Sequence, residues 1–310
     1  MGVRPARLPR NPPSPAREGR GIDLPRSALK GEGSGGGKPA VAFNTIRYDM
    51  QDHILKITFN RPEKLNAFSR ELVRETIEAF QLADADDEVH LIVITGAGRA
   101  FSAGYDISGE RDAQERTPYN WRLHQRENLT FSLQPWQVSK PVIAMVNGYC
   151  LAGACEFALM CDLRIASEKA TFGEPEIRFG AGAPILITPW IVGLTKAKEL
   201  LYTGDTMDAH EALRFNMINK VVPHEKLEEE TYKLARRILK IAPENVRLTK
   251  QAINKSFEMM GLKHALEYNV EVVTIMENTE TEVQRTFNQI KKDKGLRAAL
   301  DWRDARFKED

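Results

Sequence analysis

Two glutamates, Glu156 and Glu176, stand in glycine-bearing segments whose residue types could do chemistry. Glu156 follows the small residues Ala152-Gly153-Ala154 and precedes the apolar run Phe157-Ala158-Leu159-Met160. Small residues opening a helix leave backbone N–H groups unpaired and bring the positive end of the helix dipole to any developing anion. Glu156 lies three residues beyond Gly153, about one helical turn, and so near the same face. A glutamate in a first turn can also simply complement the dipole, although apolar neighbours on both sides suit a solvated side chain poorly. Glu176 sits in Phe172-Gly173-Glu174-Pro175-Glu176-Ile177-Arg178. Pro175 biases Glu174 to extended backbone and fixes the approach to Glu176, while charges this close together also fit a solvated loop. Arg178 could lower the pKa of Glu176 or hold a substrate carboxylate; equally it could pair with Glu174 or face solvent.

A third segment, Phe101-Ser102-Ala103-Gly104-Tyr105-Asp106, follows a buried strand and aims backbone N–H groups into a crevice at the strand's C-terminal end, where open α/β sheets bind ligands. The same small residues also permit a plain tight turn. Just upstream, Gly96-Ala97-Gly98-Arg99-Ala100-Phe101 lacks the third glycine of a dinucleotide fingerprint and a ribose-binding acid about twenty residues on. No nucleophile elbow, phosphate loop or HExxH zinc helix occurs. Cys150, Cys155 and Cys161 are too few and too close for a disulfide framework and lack the partners of a metal site, so they read as small apolar side chains in a reducing compartment. No metal or other cofactor is expected.

Strands and helices must carry these groups. Ile54–Phe59, Leu91–Thr95 and Val142–Val146 are strand-like apolar runs, with a weaker one at Leu163–Ala166. Ser69 is placed to cap a helix through Asp84, in which Leu72, Val73, Ile77, Phe80 and Ala83 recur at helical spacing. Alternating strands and helices imply a largely parallel, helix-covered sheet. After about Pro184 the pattern turns mainly helical: Asp208 caps a short helix, residues 226–241 and 244–259 are long runs with Pro243 opening the second, and two more helices follow from Leu262. This last third, read as having no strands of its own, must bury its apolar faces on the sheet domain or on another subunit.

Residues 1–40 differ, being rich in Pro, Gly, Ser and Arg, with six arginines and two lysines against three acids. They read as a flexible tail or linker; their prolines and glycines spoil the amphipathic helix of a targeting peptide. Residues 41–240 then form the core and 241–310 a helical region. Across the 310 residues Lys plus Arg (44) nearly balances Asp plus Glu (43), which excludes whole-protein attraction to nucleic acid or anionic membrane. No apolar run reaches the roughly 18 residues of a membrane span, and a cytoplasmic location is expected.

Taken together, the segments resemble the enoyl-CoA hydratase/isomerase (crotonase) family from about Ile54 to the C-terminus. The resemblance runs through Asn60-Arg61-Pro62-Glu63-Lys64-Leu65-Asn66-Ala67, Phe101–Asp106, Lys140–Ala144, Val146–Asp162, Phe172–Ile177, Leu201–Asp205 and Met217–Val222. It implies an α/β fold: a crotonase-like spiral of ββα repeats with a C-terminal helical oligomerisation region, assembled as a homotrimer or homohexamer. It implies hydration of an α,β-unsaturated acyl-CoA thioester, with CoA part of the substrate. The oxyanion hole would be the backbone N–H groups of Ala103 and Gly153, and Glu156 and Glu176 would share the attacking water. Lys64, Asn66, Ala67, Gly104, Tyr105, Asp106 and Phe307 would line the substrate and CoA site.

The sequence also departs from the family pattern. Ala152 and Ala154 flank Gly153 where the family shows consecutive glycines. Gly180-Ala181-Gly182-Ala183-Pro184-Ile185-Leu186-Ile187-Thr188-Pro189-Trp190 replaces a second glycine-rich run and should reshape the acyl pocket. Near Arg303 and Phe307, expected to reach the CoA of a neighbouring subunit, Trp302 and Asp304 stand in place of basic residues. Isomerisation or hydrolysis with one dominant glutamate is the alternative within the family. RNA binding through Lys233, Arg236, Arg237 and Lys240 is the alternative outside catalysis, although such a run is more often a solvated face.

Overall fold

The apolar runs of the sequence become neighbouring strands because each supplies two faces to be covered. The computed structural model describes residues 42–109 and 117–308; the tail expected at 1–40 lies outside them. One sheet joins β1 (Ile46–Gln51), β2 (Ile54–Phe59), β3 (Leu91–Gly96), β5 (Val142–Val146), β7 (Leu163–Ser167) and β10 (Lys220–Val222), in that order. Only the β1–β2 pair is antiparallel. A smaller sheet joins β4 (Ala100–Ser102), β6 (Tyr149–Leu151), β8 (Thr171–Gly173) and β9 (Thr206–Asp208), with the first three parallel. The chain repeatedly passes from a strand of the first sheet to one of the second and then into a helix, giving a spiral of ββα repeats.

Those helices are α1 (Arg70–Ala85), α2 (Pro118–Ser132), α3 (Gln134–Gln137), α4 (Gly153–Leu159), α5 (Thr188–Val192), α6 (Leu194–Thr203) and α7 (Ala209–Arg214). The expected caps are in place: the side chain of Ser69 accepts from Leu72 N–H and that of Asp208 from Glu211 N–H. The two-residue period of the strands sorts the core. Leu91, Val93, Ile143 and Met145 face α8 (Leu227–Ile238), whereas Ile92, Ile94, Val142 and Ala144 join the larger core with α1, α2 and α4. The acidic first turn of α8 answers its basic residues, since Glu230 pairs with Lys220 and Lys233. This part of the surface carries both charges rather than a basic stripe.

The last third is not free of strands, because β9 and β10 fall within it. Their three residues each are too short to show a period, and pairing with β8 and β7 holds them. The helices α9 (Pro243–Met259), α10 (Leu262–Glu277) and α11 (Glu282–Ala305, broken at Gly295) follow. Lys250 anchors α9, its buried ammonium donating to Pro135 O, Lys140 O and Asp162. Leu262, Leu266 and Val270 of α10 enter the main core, and Asn269 donates to Ala183 O and Pro184 O. Much of the helical region therefore packs on its own chain. No helix among the described residues is long and apolar enough to cross a membrane.

Candidate active site

Strands β4, β6 and β8 end side by side, with Ser102 paired to Cys150 and Leu151 to Gly173, so the segments that follow converge. Gly104 has φ +86° and could not be replaced cheaply: a Cβ there would lie 2.8 Å from Ala152 Cβ, 2.9 Å from Leu151 O and 3.2 Å from Gly153 N. The loop after β4 thus touches the turn that opens α4. Across the same contact, a Cβ on Gly153 would strike the Tyr105 ring at 2.4 Å.

Of the two N–H groups expected to form an oxyanion hole, those of Ala103 and Gly153, one is not free. The Ala103 N–H donates to Leu65 O at 3.0 Å, so it is already engaged. Phe68 bridges Tyr105, with Phe68 N–H donating to Gly104 O and Asp106 N–H to Phe68 O. Extended backbone alternates, so Tyr105 N–H must point to the other side. Neither Tyr105 N–H nor Gly153 N–H meets an acceptor among the described residues. Of the three, Ala103 N–H is thus engaged, whereas Tyr105 N–H and Gly153 N–H are unpaired and adjacent to the same turn.

Ala152, just before Gly153, holds φ 53° and ψ −135°, a conformation that suits glycine. Such strain costs about 1–3 kcal/mol in a non-glycine residue, only partly offset by the entropy a glycine would lose on folding. Ala152→Gly should therefore raise the midpoint of thermal unfolding by about 2–4 °C. A calorimetric scan showing a lower midpoint would contradict this account of the turn.

Several expected contact residues prove to be loop staples. Asn66 is fully buried; its Oδ1 accepts from Arg61 N–H and its amide donates to Ala97 O and Ala100 O, so it has no surface to offer CoA. Asp106 accepts from both the hydroxyl and N–H of Ser108 and pairs with Arg61 at 3.1 Å. Burial opposes its charge, but Ser108 and Arg61 outweigh that and hold its carboxyl below the usual range. Arg61 also donates to Ala67 O, which occupies the carbonyl of Ala67. Lys64 is exposed, on a 3₁₀ turn over Pro62–Lys64. Tyr105 is enclosed against Phe68 and Phe131, and burial pushes its phenol well up.

Glu156 and Glu176 come together, and Glu174, left at sequence level as an extended or solvated residue, joins them. Oxygens of all three lie within 4.8 Å of one another, and all three side chains are buried. Glu156 Oε1 accepts from Ile185 N–H at 2.9 Å, leaving Oε2 unpartnered. Glu174 Oε1 accepts from the Thr188 hydroxyl, leaving its Oε2 unpartnered, and both oxygens of Glu176 are unpartnered. Burial foremost, then the neighbouring glutamates, holds Glu156 and Glu176 well above the usual carboxylate range. Burial pushes Glu174 up to about 7 against the opposing Thr188 bond. The spacing Glu-Pro-Glu was the available signal for Glu174, since the 3₁₀ turn Pro175–Phe179 swings both carboxyls to one side.

The residues 180–187 wall this cluster, with Ile185 and Ile187 fully buried. Arg178 points elsewhere: it pairs with Asp205, donates to Thr203 O and lies 4.0 Å from the centre of the Phe307 ring. It pairs with neither Glu174 nor Glu176, its side chain is largely covered, and Phe307 packs on it within the same chain. Arg303, also expected to reach a neighbouring subunit, lies close enough to Glu176 in the same chain to favour its charge. The three cysteines are buried and free.

Two unpaired backbone N–H groups and three buried carboxyls thus gather where the strands of the ββα spiral end. A family described as enoyl-CoA hydratase/isomerase matches residues 49–310. A probable mitochondrial enoyl-CoA hydratase of Dictyostelium discoideum is 40% identical over 223 residues, covering 70% of this chain and 78% of that one. A crotonyl-CoA hydratase of Syntrophomonas wolfei is 36% identical over 226 residues, covering 70% and 84%. The crystal structure of an enoyl-CoA hydratase/isomerase from Xanthobacter autotrophicus Py2 matches with a TM-score of 0.83 at 40% identity, covering 86% of this chain and 99% of that one. The chain belongs to the enoyl-CoA hydratase/isomerase family and is an enzyme of the hydro-lyase type.

Proposed function

We propose that this enzyme adds water across the double bond of an α,β-unsaturated acyl-CoA thioester, giving the 3-hydroxyacyl-CoA. The observation that carries the reading is the set of unpartnered carboxylate oxygens on Glu156 and Glu176, together with the unpaired N–H of Gly153 at the start of the helix that carries Glu156. The Tyr105 and Gly153 N–H groups receive the thioester oxygen, on which charge gathers as water attacks the β-carbon. One glutamate, ionised, takes a proton from that water as the water's hydroxyl adds to the β-carbon. The other, protonated, gives its proton to the α-carbon. The pair still holds one proton afterwards, and the net addition is one water. Exposed Lys64 lies on the loop assigned to CoA and suits its phosphates.

The test follows loss of the conjugated-enoyl ultraviolet absorbance with short, branched, cyclic and aryl enoyl-CoAs, and weighs the product. One added water supports the reading; a shifted double bond, free CoA or no reaction overturns it. Because backbone donors activate the thioester, no metal is required. Dialysis against a strong chelator should leave the hydration rate unchanged, and a rate restored only by added divalent cation would reverse that view. The assembly is a homotrimer or homohexamer, supported by exposed apolar side chains on α9 and α10 such as Leu248, Ile253, Met259, Tyr268 and Ile275.

A further inference from the structure

Glu174 is the group this mechanism does not use. It lies in the same buried cluster as Glu156 and Glu176, with one oxygen fixed by Thr188 and the other without a hydrogen-bond partner among the described residues. Among the described residues no basic side chain hydrogen-bonds to any of the three. The surrounding groups are Glu156 and Cys155 on α4, Glu176 on the same 3₁₀ turn and Thr188 on α5, with Glu277 of α10 and Arg303 of α11 acting on Glu176 and Tyr105 lying near Glu156. Three carboxylates in one low-dielectric pocket cannot all be ionised, so protons must be shared among them.

We propose that Glu174 is a positioning residue of the active site, its carboxylate anchored by Thr188 so as to keep one proton held between Glu156 and Glu176. The inference rests on the hydratase reading, in which that pair must carry one proton and one charge at once. Ionised Glu174 opposes loss of the pair's last proton, since that loss would put a third negative charge in the pocket. The pair therefore stays half-protonated to higher pH than two glutamates alone would. Thr188 contributes by bonding to the charged form of Glu174, which brings its ionisation down into the working range.

The experiment is the pH profile of kcat/KM for hydration in wild type, Glu174→Gln, Thr188→Val and Thr188→Ser, with Glu156→Gln and Glu176→Gln as controls. Glutamine keeps the size of Glu174 and an oxygen for Thr188, but removes its charge. Glu174→Gln should retain activity below neutrality while its alkaline limb moves to lower pH by about one unit or more. Thr188→Val should move the limb in the same direction by less, and Thr188→Ser should restore it. An unmoved alkaline limb in Glu174→Gln would reduce Glu174 to a structural tie and overturn the proposal. Should that variant not fold, the Thr188 pair decides on the same criterion. If Glu156→Gln and Glu176→Gln keep the rate, the hydratase reading itself fails; if they lose it and the limb stays fixed, only the role of Glu174 fails.

Discussion

Glu156→Gln and Glu176→Gln should each lower kcat for enoyl-thioester hydration by about 10²–10⁴-fold, the usual contribution of a positioned proton-transfer group. Glutamine matches glutamate in shape, and at position 156 it can still accept from Ile185 N–H, so packing and substrate binding should survive. What it cannot do is take a proton from water or return one to carbon. KM should therefore change much less than kcat, because the lost interaction is made in the transition state. The two positions differ in one respect: Ile185 fixes Glu156, while neither oxygen of Glu176 has a partner. Normal hydration by either variant in the ultraviolet assay would remove that residue from the mechanism.

The same substitutions should stabilise the fold at alkaline pH. Each of the three carboxyls is pushed above its ordinary value by burial, so the folded state binds protons more tightly than the unfolded chain does. Stability from such a group is complete below its unfolded pKa, near 4.5, and is lost as pH rises through the folded value, about 7 for Glu174. The wild type should thus become less stable as pH rises through this range. A neutral glutamine removes that penalty, so an inactive variant that melts higher at alkaline pH is the expected pattern of a site that sacrifices stability for chemistry.

Much of the scaffold is legible in the sequence because its signals are local. Apolar-rich runs read as β2, β3, β5 and β7 of the large sheet, and Ser69, Asp208 and Pro243 mark helix starts. The smaller sheet is not legible, since its three-residue strands exist only through pairing with partners distant in sequence. The site divides in the same way. Glu156 stands out by its apolar neighbours, and Glu176 and Gly153 by the family resemblance, whereas the choice between Ala103 and Tyr105 depends on which side of the backbone meets Leu65 and Phe68. Asn66 and Asp106 look like ligand contacts because they are polar residues in a loop. Their atoms are consumed in holding that loop, which only the folded geometry reveals.

Gly104→Ala should lower kcat by about 10²–10³-fold, the scale of losing one oxyanion donor, although residue 104 contributes neither a side chain nor the donor itself. Its backbone is left-handed at φ +86°, which already disfavours alanine. The new methyl would also meet Leu151 O and Gly153 N, backbone atoms at the end of β6 and the start of α4, as well as the Ala152 methyl. Strand β6 lies between β4 and β8 and cannot yield easily, so the loop after β4 must move away. Tyr105 N–H belongs to the next residue in that loop and moves with it, while Gly153 N–H stays. Two donors that no longer converge on one oxygen stabilise the enolate poorly, yet CoA contacts elsewhere are untouched, so kcat should fall more than KM rises. Ser102→Ala is the comparison: it removes only the hydroxyl that accepts from Gly104 N–H at 3.1 Å and should cost far less. A folded Gly104→Ala enzyme with wild-type kcat would show that the close approach of these loops does not set the oxyanion hole.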